Sequence, residues 1–209
     1  MSESDDETPR LSAHTLAALA EFEAEQKAVA DAADAPISEN WQLSQFWYDE
    51  RTADALAREC LLAVDGGSIA CVSCPTLFER LLQHDPIQNG RTKAVLFEFD
   101  DRFFAKYGNE RAFFYDYRQP LDLPADLRNS FDLIIVDPPF LAEECVVKVA
   151  QTVRWLSKPN AKIIACSGAI MEELFGRLLG VKRRQFQPTH KNNLANEFAC
   201  FANFDTEIL

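Results

Sequence analysis

The chain alternates short apolar segments with amphipathic segments, and this alternation constrains its fold more than any other feature. After Asp49, the apolar residues within 53–64 are spaced so that they share one face of a helix. Gly66 and Gly67 end this predicted helix. Parallel strands joined by helices are the arrangement that fits such an alternation. Predicted strands lie at residues 68–72, 94–99, 112–115, 131–136 and 162–166, and predicted helices at residues 75–84, 101–107, 141–156 and 170–179.

The last two predicted strands, 181–187 and 198–204, have no helix between them. Such a pair is typical of an antiparallel hairpin, which we place at the edge of the sheet. We therefore predict an α/β fold. It consists of a mostly parallel, seven-stranded sheet with helices on both faces and an antiparallel C-terminal edge hairpin.

Residues 1–48 are predicted to lie apart from this α/β domain, which we assign to residues 49–209. They comprise an acidic tail, a helical arm over about 12–34 that Pro36 ends, and the aromatic connector WQLSQFWY at 41–48. The connector leads directly into the helix that Asp49 is expected to cap.

Composition limits the compartment and the partners. The formal charge is −12, from 33 Asp and Glu against 21 Lys and Arg, which disfavours duplex nucleic acid and favours a basic protein partner. The sequence has no run of about 18 apolar residues and no signal-peptide core, and its six cysteines are scattered. We therefore expect a cytoplasmic protein with reduced thiols, acting as a monomer away from membranes.

Carboxylates follow three of the first four predicted strands. Glu98 ends the second strand, Asp116 follows the third, and Asp137 follows the fourth. Ligands of open parallel sheets bind at the carboxyl ends of the strands, so these side chains should meet at one edge. Carboxylates accept hydrogen bonds from ribose hydroxyls and from an adenine amino group, which indicates a cofactor that contains a nucleoside.

Asp137, Pro138, Pro139 and Phe140 form the sharpest motif, DPPF, which matches the [DN]PP[FYW] signature of amino-group methyltransferases. A target amine needs acceptors that hold its hydrogens and aim its lone pair, and the Asp137 carboxylate and the Pro138 carbonyl can be those acceptors. The two prolines stiffen the turn, and Phe140 offers an aromatic face to the amine or its cation. The alternative is a Pro-Pro turn after a buried strand, with no chemical role.

Together these motifs resemble the class I S-adenosylmethionine-dependent methyltransferases, and more closely the lysine methyltransferases of translation elongation factor 1-alpha. The DPPF motif alone is shared between families, whereas SQFWY, CSGAIMEE and NLANEF are more specific. The matching segments cover nearly the whole chain: DDETPRLSAHTLAAL (5–19), WQLSQFWY (41–48), IACVSCP (69–75), LFEFDDRF (96–103), FFYDY (113–117), FDLIIVDPPF (131–140), CSGAIMEE (166–173) and HKNNLANEF (190–198).

The resemblance implies a Rossmann-like fold, S-adenosylmethionine as cofactor and elongation factor 1-alpha as substrate. It implies that Glu98 holds the ribose hydroxyls, with Asp100 as the second choice, and that Asp116 accepts from the adenine amino group. It further implies roles beside the adenine ring for Tyr117, and over the cofactor or the lysine entrance for Gln45, Trp47 and Tyr48. Alternatively, Trp47 and Tyr48 only plug the arm onto the core, and Asp100 or Asp101 caps a helix.

The first strand ends in the segment Cys71–Pro75, where class I methyltransferases usually have a glycine-rich loop. Ser73 is expected to cap the next helix, with Pro75 in its first turn, so that the helix N-terminus could receive the methionine carboxylate of the cofactor. Cys71 and Cys74 lack a second pair of ligands at zinc spacing, so no metal site is predicted. His190 is interpreted as a surface residue or a substrate contact, and 182–184 as a solvated basic strand face.

Three functions remain open at this point. In the first, Asp137 and the Pro138 carbonyl orient a neutral lysine amine of elongation factor 1-alpha, whose ordinary pKa of about 10.4 a desolvated pocket lowers. The second is methylation of adenine N6 in a nucleic acid, which would need a basic groove. The third is a non-catalytic subunit that binds the cofactor, which the unusual 71–75 loop would allow.

Overall fold

The structure is a computed structural model that describes Thr15 and residues 37–192, 194 and 196–209. Residues Ser38–Leu209 form one compact unit. The helical arm predicted over 12–34 falls outside the described residues, apart from Thr15. The division of the chain at residues 48 and 49 stays a prediction. Among the described residues, no helix is long and apolar enough to cross a membrane.

A seven-stranded sheet organises this unit, in the order β3-β2-β1-β4-β5-β7-β6. β1 to β5 run parallel, and β7 runs antiparallel to both β5 and β6. The predicted fold is confirmed, including its antiparallel edge hairpin. The strands are β1 Ser68–Val72, β2 Lys93–Glu98, β3 Ala112–Phe114, β4 Phe131–Val136, β5 Ser157–Gly168, β6 Lys182–Arg183 and β7 Phe198–Ala202.

Helices cover both faces of the sheet because the central strands are apolar on both sides. Ala70 and Val72 of β1 pack in the core cluster with the helices over 143–156 and 172–179, while Ile69 and Cys71 are buried on the opposite face. The helices are α1 Glu50–Ala63, α2 Pro75–Leu81, α3 Asp85–Gln88, α4 Arg102–Tyr107, α5 Glu143–Leu156 and α6 Glu172–Leu179, with short 3-10 turns at Trp41–Leu43, Ala125–Leu127 and Ala169–Met171.

A side-chain cap explains where α1 begins, and a proline in the first turn marks the start of α3. The Asp49 carboxylate accepts a 2.8 Å hydrogen bond from the backbone N–H of Thr52, which confirms it as the N-cap of α1. The helix predicted over 75–84 ends earlier, because α2 stops at Leu81, and α3 is a separate short helix beyond the predicted range. His84 adopts an extended conformation after α2, and Pro86 then stands in the first turn of α3.

Several other element bounds also differ from prediction, among them those of β5, β6 and α5. β5 has twelve residues and continues across a bulge, since the sequence pattern showed only its buried half. β6 has two residues instead of the seven predicted over 181–187, because its register with β7 covers Lys182 and Arg183, although the Arg184 N–H still donates to the Cys200 carbonyl at 2.8 Å. α5 begins at Glu143, since Ala142 is still extended.

Candidate active site

A cavity of about 600 Å³ lies at the carboxyl ends of β1 to β4. One wall comes from residues 42–48 of the predicted aromatic connector, and another from His190, Leu194, Asn196 and Phe198. The strand ends contribute Ser73–Thr76, Glu98–Phe99, Tyr115–Arg118 and Asp137–Leu141. The sheet thus brings together the three carboxylates that follow its strands, as the parallel arrangement predicts.

Glu98 is the last residue of β2, and its side chain reaches the cavity with only 6% of its surface exposed. The backbone N–H groups of Phe99 and Asp100 donate to its Oε1 at 3.0 and 3.3 Å. Burial raises the pKa of Glu98 to about 7, although these hydrogen bonds oppose the shift. A buried acceptor in this position fits the hydroxyls of a ribose.

Asp100, the second choice for the ribose, does not line the cavity. Its Oδ2 accepts a 2.9 Å hydrogen bond from Gln45 Nε2, and Arg102 binds both of its oxygens. Burial opposes ionisation of Asp100, but the hydrogen bonds from Arg102 and Gln45 outweigh it and lower the pKa. Asp100 therefore fixes the loop after β2 and joins it to residues 41–48, and of these two carboxylates Glu98 is the one that lines the cavity.

Asp116 and Tyr117 line the cavity beyond the end of β3. The Asp116 carboxylate accepts hydrogen bonds from the backbone N–H and the guanidinium of Arg118, which lower its pKa. The Tyr117 ring meets Phe140 edge to face, with ring centres 5.7 Å apart. The adenine role of Asp116 stays a prediction, and Arg118 is a neighbour that sequence reasoning missed.

The DPPF motif follows β4 and all four of its residues line the cavity. The Asp137 N–H donates to the Val72 carbonyl at 3.1 Å, which continues the pairing of β4 with β1 past the strand end. The Tyr48 hydroxyl donates to Asp137 Oδ2 at 2.6 Å. Burial raises the pKa of Asp137 to about 7, the Tyr48 hydrogen bond lowers it, and the charge of Glu98 raises it further.

The connector is held in place by polar contacts on both sides. Buried Gln45 donates to Asp100 and accepts from the Asn40 N–H at 3.0 Å. Glu39 accepts from the Trp47 N–H at 2.6 Å and from the Asn192 side chain at 2.6 Å. Trp47 also packs against Phe103, with ring centres 6.4 Å apart. The aromatic residues at 47 and 48 therefore both attach the connector to the core and line the cavity.

The interpretation of His190 as a surface residue is wrong. The side chain is only 9% exposed and lies between Tyr48 and Phe198, at ring-centre distances of 5.1 and 4.7 Å. Burial lowers the pKa of His190, so the neutral imidazole is favoured. No local pattern could have revealed this position, because Tyr48, one of its two ring partners, comes from a distant part of the chain.

The expected capping role of Ser73 is also wrong, because Cys74 occupies the N-cap position of α2 and no side-chain capping bond is present. Ser73 instead adopts φ +56°, the left-handed region that usually needs glycine. This conformation explains how the 71–75 loop turns beneath the cavity without a glycine. Pro75 does stand in the first turn of α2, as predicted.

The remaining sequence candidates are the cysteines and the basic run at 182–184. All six cysteines are buried free thiols, and no metal-binding group was found among the described residues. In the basic run, Arg183 forms ion pairs with Glu172 and Glu197, and Arg184 pairs with Asp205 at 3.5 Å.

These observations define a class. A mostly parallel sheet with an antiparallel β7, a cavity at the strand ends, Glu98 at the end of β2, Asp116 after β3 and the DPPF motif after β4 describe a class I methyltransferase. A solved structure, a branched-chain polyamine synthase mutein from Thermus thermophilus, supports the fold with a TM-score of 0.52 at 12% identity, covering 87% of this chain and 65% of that chain.

The family model described as "Probable N6-adenine methyltransferase" matches residues 39–206, and the chain belongs to that family. The curated relatives include EEF1A lysine methyltransferase 1 of Homo sapiens, 50% identical over 98% of this chain and 96% of that protein. Protein-lysine N-methyltransferase M142.8 of Caenorhabditis elegans is 47% identical over 99% and 98%. EFM5 of Saccharomyces cerevisiae, also named a protein-lysine N-methyltransferase, is 36% identical over 93% and 92%. The family resemblance predicted from the motifs is confirmed.

Proposed function

We propose that this protein is an S-adenosylmethionine-dependent protein-lysine N-methyltransferase that modifies a lysine of translation elongation factor 1-alpha. The observation that carries the proposal is 50% identity, across nearly both full lengths, to a relative named EEF1A lysine methyltransferase 1. The DPPF motif of this chain lies in one cavity with Glu98 and Asp116, as a methyl transfer to an amine requires.

The cavity fits the cofactor. S-adenosylmethionine supplies a methyl group that is already activated on a sulfonium. In this proposal Glu98 accepts from the ribose hydroxyls, and Asp116 accepts from the adenine amino group. Tyr117 and Phe140 add aromatic surface beside them.

The protein then has to position and desolvate a lysine amine. Asp137 and the Pro138 carbonyl act as the two acceptors that aim the nitrogen lone pair, and Phe140 covers one side of the amine. An ionised Asp137 favours the charged form of lysine, so its role is orientation more than deprotonation. The apolar walls lower the lysine pKa, and the proton leaves to water.

Adenine N6 is the alternative target, since the family description names it and the DPPF chemistry suits it. Binding a nucleic acid needs unpaired cations along a groove. The formal charge is −12, and Arg183 and Arg184 of the basic run are engaged in ion pairs. Charge and the names of the relatives both favour the lysine. We further propose that the enzyme acts as a monomer in the cytoplasm, where the elongation factor works.

Intact-mass spectrometry of purified elongation factor 1-alpha after incubation with enzyme and S-adenosylmethionine tests the proposal. We expect mass increases of whole methyl groups, localised to lysine by peptide fragmentation. The Asp137→Ala variant should give none, whereas Asp122→Ala, a matched change at an exposed residue outside the cavity, should act like the wild type. An unmodified substrate with active cofactor binding would reject the elongation factor as target.

A further inference from the structure

The carboxylate of the DPPF motif has one hydrogen-bond donor from a distant segment. The Tyr48 hydroxyl lies 2.6 Å from Asp137 Oδ2, and the two residues are 89 positions apart in the chain. Within the part of the chain that the structure describes, no other hydrogen bond to this carboxylate is found. One oxygen is therefore held by the protein, and Oδ1 is left to meet a ligand.

Tyr48 is itself fixed on several sides. Only 2% of it is exposed, and its backbone forms an antiparallel bridge with His190. The flanking residues extend this pairing: the Lys191 N–H donates to the Trp47 carbonyl at 2.8 Å, and the Asp49 N–H to the Thr189 carbonyl at 3.1 Å. The ring packs on the His190 ring at 5.1 Å. Such a side chain can hold a fixed direction for its hydroxyl.

We propose that Tyr48 is a positioning residue for the methyl transfer: its hydroxyl holds Oδ2 of Asp137 so that Oδ1 and the Pro138 carbonyl face the substrate amine. The inference rests on the proposed function and adds a second task to the aromatic connector, beyond lining the cavity. Without the hydroxyl, the carboxylate rotates about its own bonds and loses its aim at the amine.

The charges around Asp137 make this donor necessary. The groups that face it are Tyr48 from the connector, Glu98 from β2, Cys74 from the loop after β1, and Cys166 from β5, with His190 behind Tyr48. None of the four other groups is a cation in its favoured form, so Tyr48 is the group here that stabilises the ionised carboxylate. Burial and the charge of Asp137 raise the pKa of Tyr48 well above its ordinary value, so the hydroxyl stays protonated and remains a donor.

The test compares Tyr48→Phe with Tyr107→Phe. Tyr107 also donates a 2.6 Å hydrogen bond to a carboxylate, that of Glu79, but it lies on α4 and does not line the cavity. Both changes remove one hydroxyl and keep the ring. The pKa of Asp137 is measured by carbon-13 NMR of its carboxyl group, with Asp137→Asn to assign the signal. kcat and KM are then measured with elongation factor 1-alpha, and affinity for S-adenosylhomocysteine by calorimetry.

We expect Tyr48→Phe to raise the pKa of Asp137 and to lower kcat roughly 10- to 100-fold, with cofactor-product affinity within a few fold of the wild type. Tyr107→Phe should change none of these. An unchanged Asp137 pKa, an unchanged kcat, or an equal loss in Tyr107→Phe would overturn the proposal. If the wild type modifies a nucleic acid instead, the proposed function fails, yet the titration, which uses no substrate, still decides whether Tyr48 holds this carboxylate.

Discussion

Glu98 and Asp137 share one cavity and a raised pKa of about 7, but their surroundings differ. Glu98 accepts from the backbone of its own loop, whereas Asp137 accepts from Tyr48 across the cavity. In the proposed function, Glu98 binds the cofactor and Asp137 of the DPPF motif orients the target amine. Removal of each carboxylate should therefore impair a different step, either cofactor binding or methyl transfer.

Asp137→Ala should abolish turnover while affinity for S-adenosylhomocysteine stays within a few fold of the wild type. Glu98→Ala should weaken that affinity, because the ribose hydroxyls lose a charged acceptor. Isothermal titration of both variants, together with single-turnover methylation, separates the two effects. The reverse pattern would reject the assignment of roles.

The raised pKa of Glu98 predicts that cofactor binding depends on pH. The ordinary glutamate value is 4.5 and the folded value about 7, so Glu98 is largely protonated at pH 6 and ionised at about pH 8. Ribose hydroxyls donate more strongly to the ionised form, so affinity for S-adenosylhomocysteine should rise through this range and then level off. Glu98→Gln should bind more weakly with a flat profile, whereas Asp137→Asn should keep the rise. A rise that persists in Glu98→Gln would assign it to another group.

For individual residues, the sequence predicted which carboxylates line the cavity, but it did not predict the neighbouring side chains that contact them. Glu98, Asp116 and Asp137 could be found because each follows an apolar segment, and parallel strands bring such ends together. Arg118 is only two residues from Asp116, but spacing within a loop does not show that the two side chains pair. His190 could not be placed, because Tyr48, against which it packs, is distant in the chain.

For the strands, the apolar segments predicted the bounds correctly where consecutive residues are buried. β1 and β4 match their predicted bounds, because all or nearly all of their residues are buried. β5 was predicted too short, since its first four residues are partly or fully exposed. β6 was predicted too long, because a short edge strand is set by its partner and not by its own sequence. The pattern of apolar residues indicates which residues are buried. It does not predict strand bounds where hydrogen-bonded pairing continues through exposed residues.

The turn between β1 and α2 contains a serine in the left-handed region, and this should affect the stability of the fold. Ser73 holds φ +56°, which costs a non-glycine residue about 1 kcal/mol or more. Glycine removes that cost but gains entropy in the unfolded chain, so Ser73→Gly should raise the free energy of unfolding by only about 0.5 kcal/mol. Ser73→Val should lower it by about 1–3 kcal/mol, since a β-branched residue is strained in this region. Urea denaturation measures both. Equal stability of the valine variant would show that the turn relaxes without strain.

The formal charge of −12 belongs to the whole molecule. It should affect the association of the enzyme with a protein substrate more than the rate of methyl transfer. For a basic partner, KM should rise several-fold between about 50 and 300 mM salt, because screening weakens attraction between exposed charges. Affinity for S-adenosylhomocysteine should change little over the same range, since its contacts are enclosed. A KM that falls with salt would indicate that the docking surface is apolar or that the charges of the two proteins repel.

The proposed function requires that the enzyme transfers methyl groups to a lysine of elongation factor 1-alpha in the DPPF cavity. Its most direct test is one labelling experiment, with tritiated S-adenosylmethionine in a cell extract that lacks this enzyme. The wild-type protein should label a protease-sensitive band at the size of the elongation factor, and Asp137→Ala should label nothing. Label that is removed by nuclease would contradict the claim and assign the cavity to adenine. Absence of label despite cofactor binding would contradict it too, and would favour a non-catalytic binding subunit.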